Sequence, residues 1–346
     1  MSSSKGSYKH FMIILLLAKS DVLFASSFNQ DSSAYYHQKA IQFKQDHRIN
    51  EAMVAYTQAI DFDASNVELR FGYIKELVEQ RKFVLAINEL EKIIAIDSNQ
   101  VEALFQLTQI NFQFNKWNEV ISYGIKLLQL KEDDDMQYML GKAYYEIEEY
   151  GSAKALLFEA VKKDATKFDR ALLLGRVYIE LSEYYNALNA YKIALDIKQD
   201  KDVLYEFGLL NYTVNNEKEA IKYYELAVEK GYKPDLDYTE NLGTAYLAVD
   251  INKGVEILNT VLRKKPHNRE ILLEIAHAYF KKKSFQLAAD TFYKVYMNDT
   301  KNIEALYMCG VAFIRGGEKS RGTEICDKAL RFDPSLADLK RLSFVN

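Results

Sequence analysis

Proline is nearly missing from this chain, with three residues in 346, so helices can run without interruption. Cysteine is as sparse. Cys309 and Cys326 are the whole complement, and their 17-residue separation matches no metal-ligand spacing and builds no disulfide framework. The five histidines (His10, His37, His47, His267, His277) are scattered, with no HExxH pair and no CxxC, so no metal or other cofactor is expected. Charge of one sign is lacking too: the net charge is −4 and the longest basic runs are three residues, as at Lys281–Lys283, which gives nucleic-acid binding no support. The segment Phe11–Ala18 is too short to span a bilayer, so no stable membrane span is expected in the mature chain. No catalytic constellation is visible. The stretch Gly317–Thr323 starts like a phosphate loop but lacks the lysine that must follow, and acidic pairs such as Glu148–Glu149 fall at helix ends. These absences point away from an enzyme.

What is present is repetition. With 49% apolar and 27% charged residues the chain is too hydrophobic to be disordered as a whole. A block of about 34 residues recurs, visible in Ile49–Asn66, Tyr185–Ile197 and Arg321–Ser335. Each block carries a small residue, an apolar or aromatic one four later, and a small or branched one three after that. This spacing places all three on one stripe of an α-helix. A second apolar stripe precedes each, as in Tyr138–Tyr150 and Leu172–Tyr184. The unit is therefore a pair of helices. Nine such units are expected, at 33–66, 67–100, 101–133, 134–167, 168–200, 201–235, 236–268, 269–302 and 303–336. Pro234, Pro266 and Pro334 all fall at unit ends. A short helix over 337–346 is expected to cap the array. The two cysteines lie on facing stripes of the last unit, as small buried hydrophobes or, in an oxidising compartment, as a disulfide.

At the eighth position of the units stand Ala40, Ile74, Thr108, Gly141, Gly175, Gly208, Gly243, Ala276 and Gly310. At the twentieth stand Ala52, Ala86, Val120, Ala153, Ala187, Ala220, Gly254, Ala288 and Gly322. Small residues are needed where two helices cross closely. With large residues near positions 11 and 24, such as Tyr178 with Tyr191, the pattern resembles the tetratricopeptide repeat (TPR) family from Ser33 to Leu336. Ile74, Thr108 and Asn111 depart from it. The resemblance implies an all-α fold, a right-handed superhelical solenoid of helix-turn-helix units.

In that family the first helices line a concave groove through positions 2, 5, 9, 12 and 13. Carried onto this chain, position 5 contributes Phe71, Phe105, Tyr138, Leu172 and Tyr205, and position 9 contributes Lys75, Lys142 and Arg176. Apolar anchors beside cations suit a protein or peptide segment of unknown identity. Position 12 faces the groove and the neighbouring unit at once, so part of that row is core. Acidic residues at position 2, Glu68 and Glu102 among them, stabilise the first turn of each helix. The carboxylate clamp by which some family members grip an acidic C-terminus needs Lys at position 5 with Asn at 9, and no unit has both. The resemblance implies a non-enzymatic adaptor. A self-associating solenoid whose ends stack is the alternative.

The N-terminus differs from everything after it. Lys5, Lys9 and His10 precede the apolar run, and Ala25–Ser27 supplies a small-residue exit, the order of a secretory signal peptide over 1–27 with a linker at 28–32. Cleavage is expected after Ser27 or Ala25, which would export the chain to the periplasm or exterior; uncleaved, it is cytoplasmic. N-terminal sequencing of the protein from its native host should therefore begin near Ser26 or Phe28, and an intact Met1 or Ser2 would overturn export.

Overall fold

The computed structural model describes residues 29–131 and 133–337. The expected signal segment and, apart from Ala337, the expected capping helix lie outside the described residues. The described residues are helical throughout, with no strand, and divide into two compact units, 1–163 and 164–346. In the first, four helix pairs follow one another: α1 (29–45) with α2 (Ile49–Phe62), α3 (Val67–Glu79) with α4 (Phe83–Ile96), α5 (Val101–Gln113) with α6 (Trp117–Leu130), and α7 (Asp134–Glu146) with α8 (Tyr150–Lys163). The second holds five pairs: α9 (Phe168–Glu180) with α10 (Tyr184–Ile197), α11 (Lys201–Thr213) with α12 (Glu217–Glu229), α13 (Leu236–Val249) with α14 (Ile251–Lys264), α15 (Arg269–Lys281) with α16 (Phe285–Asn298), and α17 (Ile303–Arg315) with α18 (Lys319–Phe332). A 3-10 turn, Pro334–Leu336, follows. Residues 29–32, expected as linker, belong to α1. The Ser33 hydroxyl near its start donates to the Ala59 carbonyl at 2.9 Å, tying α1 to α2.

Within a pair, the helices are joined by one recurrent turn. His47, Arg81, Asn115, Glu148, Ser182, Asn215 and Lys283 all take positive φ, between 55° and 65°, and Gly317 sits at the same place in the last pair. Backbone bonds close it: Lys283 N–H donates to the Phe280 carbonyl and Ser284 N–H to that of Tyr279. This is the Schellman arrangement that satisfies carbonyls at a helix C-terminus. The α13–α14 pair departs from it. There Asp250 ends one helix and caps the next, accepting from the N–H groups of Asn252 and Lys253. Between pairs, side chains do the capping: Asn66, Asp133, Asp235 and Asn302 each accept the N–H three residues on.

The close crossing predicted for the eighth position lies inside each pair. In five pairs a glycine of the first helix faces a buried residue of the second, and a Cβ on Gly141, Gly175, Gly208, Gly243 or Gly310 would stand within 2.5–2.7 Å of Leu157, Tyr191, Tyr224, Leu258 or Cys326. In the third pair Thr108 is buried on the first helix and the glycine lies on the second: a Cβ on Gly124 would run into Leu140 and Met136 of α7, the next pair's first helix. The departures are thus absorbed: Ile74, Thr108 and Asn111 are all buried, and Thr108 and Asn111 donate to carbonyls four residues back at 2.8 Å. Asn211 bonds to the Phe207 carbonyl in the same way.

Cys309 and Cys326 are buried in separate apolar clusters and are not joined by a disulfide. Burial pushes the Cys309 thiol up to about 12.

Two glycine substitutions should move stability in opposite directions. Gly175→Ala forces a methyl into the Tyr191 ring, which is buried and held, and should cost about 1–3 kcal/mol in denaturant unfolding. Gly151→Ala, which meets nothing within 4 Å near the start of α8, should gain a few tenths to about 1 kcal/mol. Equal and small effects would show that the crossing does not need glycine.

Candidate functional site

In the first compact unit, the first helices α3 and α5 leave a cavity of about 490 Å³ between them. Its wall combines Phe71 and Val78 of α3 with Phe105 and Ile110 of α5, rimmed by Lys75, Gln106 and the exposed acids Glu79 and Glu102. The helical period explains the grouping: Phe71, Lys75 and Val78 are four and three residues apart, on one stripe, and Phe105 enters at the same register one repeat later. Phe71 and Phe105 are half-buried, so their rings anchor in the stack while one side meets the cavity. Lys75 is exposed and makes no ion pair among the described residues. The cation is held by its helix at the edge of an apolar surface. Its neighbour Glu76 is instead buried and bonded to Lys44 of α1.

The structure brings Tyr138 and Lys142 together with Phe112, one hairpin further on. The Tyr138 ring centroid is 6.5 Å from that of Phe112, Lys142 Nζ is 5.7 Å from it, and Trp117 meets the other edge at 5.7 Å. These two residues form a cluster of their own beside the cavity and do not line it.

The second unit places its share differently. Leu172 is buried, and its side chain packs rather than faces outward. Arg176 is engaged: its guanidinium donates twice to Glu206, at 2.7 and 3.3 Å, and the Tyr191 hydroxyl donates to the same carboxylate at 2.7 Å. Burial, and then the charge of Glu206, push the Tyr191 phenol up. Tyr205 stacks on Tyr232 at 4.7 Å, and its hydroxyl accepts from Asn241 at 2.7 Å.

The second unit has a cavity of its own, lined by none of the residues named from positions 5 and 9. This open cavity of about 470 Å³ is bordered by three first helices, with Tyr212 from α11, Thr244 and Leu247 from α13, and Glu274, His277 and Lys281 from α15. The Thr244 hydroxyl donates to Glu274 at 2.7 Å. Partial burial raises the Glu274 carboxyl, against the smaller pull of that bond. His277 packs edge-on against Phe292 at 5.0 Å, and burial lowers its imidazole. Tyr212 and Leu247 stood in the position 12 row. His277 and Thr244 stand at position 9 of their units, a groove position, but only the cations were singled out there; Glu274, at position 6, carried no signal, and only its bond to Thr244 marks it.

Among the described residues no group of three or more His, Cys, Asp or Glu is placed to hold a metal ion. No described helix is long and apolar enough to cross a membrane.

No protein-family model matches the chain. A TPR repeat-containing protein of Methanocaldococcus jannaschii is 23% identical over 164 residues, 46% of this chain and 29% of that protein. A homologue of a BBSome complex member from Drosophila melanogaster is 30% identical over 136 residues, 35% of this chain and 28% of that protein. The matched segments thus span less than a third of either curated relative's length. Among solved structures, the C-terminal part of a TPR repeat-containing protein from Cytophaga hutchinsonii is 22% identical, with a TM-score of 0.48, over 66% of this chain and 95% of that one.

The two cations differ in a measurable way. Glu206→Gln removes the charge that Arg176 and Tyr191 share and should lower stability by about 1 kcal/mol. Lys75→Ala should change it by less than about 0.5 kcal/mol. Equal losses in denaturant unfolding would make Lys75 a packing residue.

Proposed function

Proceeding from a chain that is a tandem array of tetratricopeptide repeats, we propose that it is a non-enzymatic scaffold that captures a protein or peptide segment on the first-helix face of its first compact unit. Proteins of this fold are in general protein-interaction scaffolds. The observation that carries the finer reading is the cavity between α3 and α5, where two half-buried phenylalanines stand beside an unpaired lysine. A half-buried ring is already ordered by the stack, so a partner side chain that covers it gains apolar contact without the cost of fixing the ring. Phe71 and Phe105 would supply that contact, and Lys75 would orient an acidic group of the ligand in the rim. Export, with a role in envelope assembly or secretion, completes the proposal; its support is the basic and apolar start of the sequence.

A peptide-display selection on the purified protein, followed by affinity measurement of the enriched peptides, tests this. Enriched peptides should share an apolar anchor, and Phe71→Ala/Phe105→Ala should weaken them by about tenfold or more while the helical circular dichroism is kept. Unchanged affinity in the folded double variant would overturn the site. A smaller loss for Lys75→Ala, confined to peptides with an acidic residue, would be the signature of the rim contact.

A further inference from the structure

Glu274 is a carboxylate without a counter-charge. It lies in the wall of the second unit's cavity, between Tyr212 on one side and Thr244 on another. Its one hydrogen-bond donor among the described residues is the neutral Thr244 hydroxyl, at 2.7 Å, and no lysine or arginine pairs with it. Two further acids, Glu240 and Glu270, add to the negative potential there. Glu206 of α11, by contrast, is neutralised within the fold by Arg176. Glu274 is exposed to solvent, and a carboxylate left with only a hydroxyl offers an incoming cation a charge-assisted hydrogen bond.

The remaining lining selects the kind of cation. Tyr212 offers a ring face and Leu247, Ala248 and Ala278 an apolar floor. A planar, weakly hydrated guanidinium can pair with a carboxylate, stack on a ring and lay its methylene stem on an apolar surface at once; a compact ammonium does this less well. Lys281 and Lys282 also border the cavity, but both are exposed at the end of α15, where water satisfies their charge. They stand where an acidic neighbour of the bound residue would be met.

We propose that this cavity is a receptor for an arginine side chain of a polypeptide partner, with Glu274 as the ion-pairing group and Tyr212 as the stacking surface. The polypeptide origin rests on the reading of the first-helix face as a capture surface; the cavity itself belongs to other helices and is tested without any peptide.

The probe is N-acetyl-arginine amide, titrated into the full chain carrying labelled Leu and Ala methyl groups and followed by methyl NMR. The methyl signals of Leu247, Ala248 and Ala278 should shift saturably, and the neutral citrulline analogue should leave them in place. Glu274→Gln should weaken the effect about tenfold with the rest of the methyl spectrum unchanged, and Tyr212→Leu should weaken it by less. Phe71→Ala/Phe105→Ala should leave arginine binding intact. Equal shifts with arginine and citrulline, undiminished binding by Glu274→Gln, or saturable shifts with N-acetyl-glutamate amide in place of arginine would each overturn the receptor. A protein that captures display-selected peptides through Phe71 and Phe105 yet ignores the arginine probe would overturn this proposal alone.

Discussion

Everything in this molecule hangs on how closely the two helices of a pair cross. A helix with side chains all round keeps its neighbour at a distance set by those side chains. Here the eighth residue of the first helix is small in most pairs, and a Leu, Tyr, Phe or Cys of the second helix enters the space it leaves. That contact is made inside a unit of about 34 residues, so it can be repeated without reference to distant parts of the chain. The second and third pairs carry larger residues at that position, Ile74 and Thr108, and both are buried. The recurrent turn at His47, Arg81 and their counterparts serves the same end. It brings the second helix back along the first within three residues, at the expense of a left-handed backbone that only the last pair gives to glycine.

Once the crossing and the stacking of pairs have taken their residues, what remains on the first helices differs from place to place. On α3 and α5 the leftover residues are two phenylalanines and a free lysine around a cavity. On α9 and α11 an arginine and a glutamate have found each other, and a tyrosine from α10 joins them. On α13 and α15 a glutamate has only a threonine. The same scaffold register therefore yields a surface that is apolar with an unpaired lysine at its rim in one place, self-neutralised in another, and holds an unpaired carboxylate in a third. Charge pairing across neighbouring repeats sets which side chains stay available to a partner.

Much of this was legible from residues alone. The period, the helix pairs and the small positions follow from spacing, because a 3.6-residue helix puts residues four and three apart on one face wherever they occur. Phe71, Lys75 and Phe105 were legible for the same reason. Arg176 was not: its position in the repeat equals that of Lys75, and what distinguishes them is an acid thirty residues later, Glu206, within reach in one case and absent in the other. Leu172 was placed on the same stripe as Phe105 but is closed over by its surroundings. Glu274 lay unnoticed among many acids, since it stands at position 6 and no pattern in the chain announces its bond to Thr244.

The sequence by itself determined the unit: two helices, their length, the turn between them, and which faces pack. These depend on contacts between residues close in the chain, where periodicity is a direct record of geometry. Only the tertiary structure decided which of the remaining charged and aromatic side chains are free and which are already paired. Those pairings cross from one repeat to the next through long, rotatable side chains, and a distance of a few ångströms, rather than a position in the repeat, settles whether a charge meets its partner or faces an open cavity.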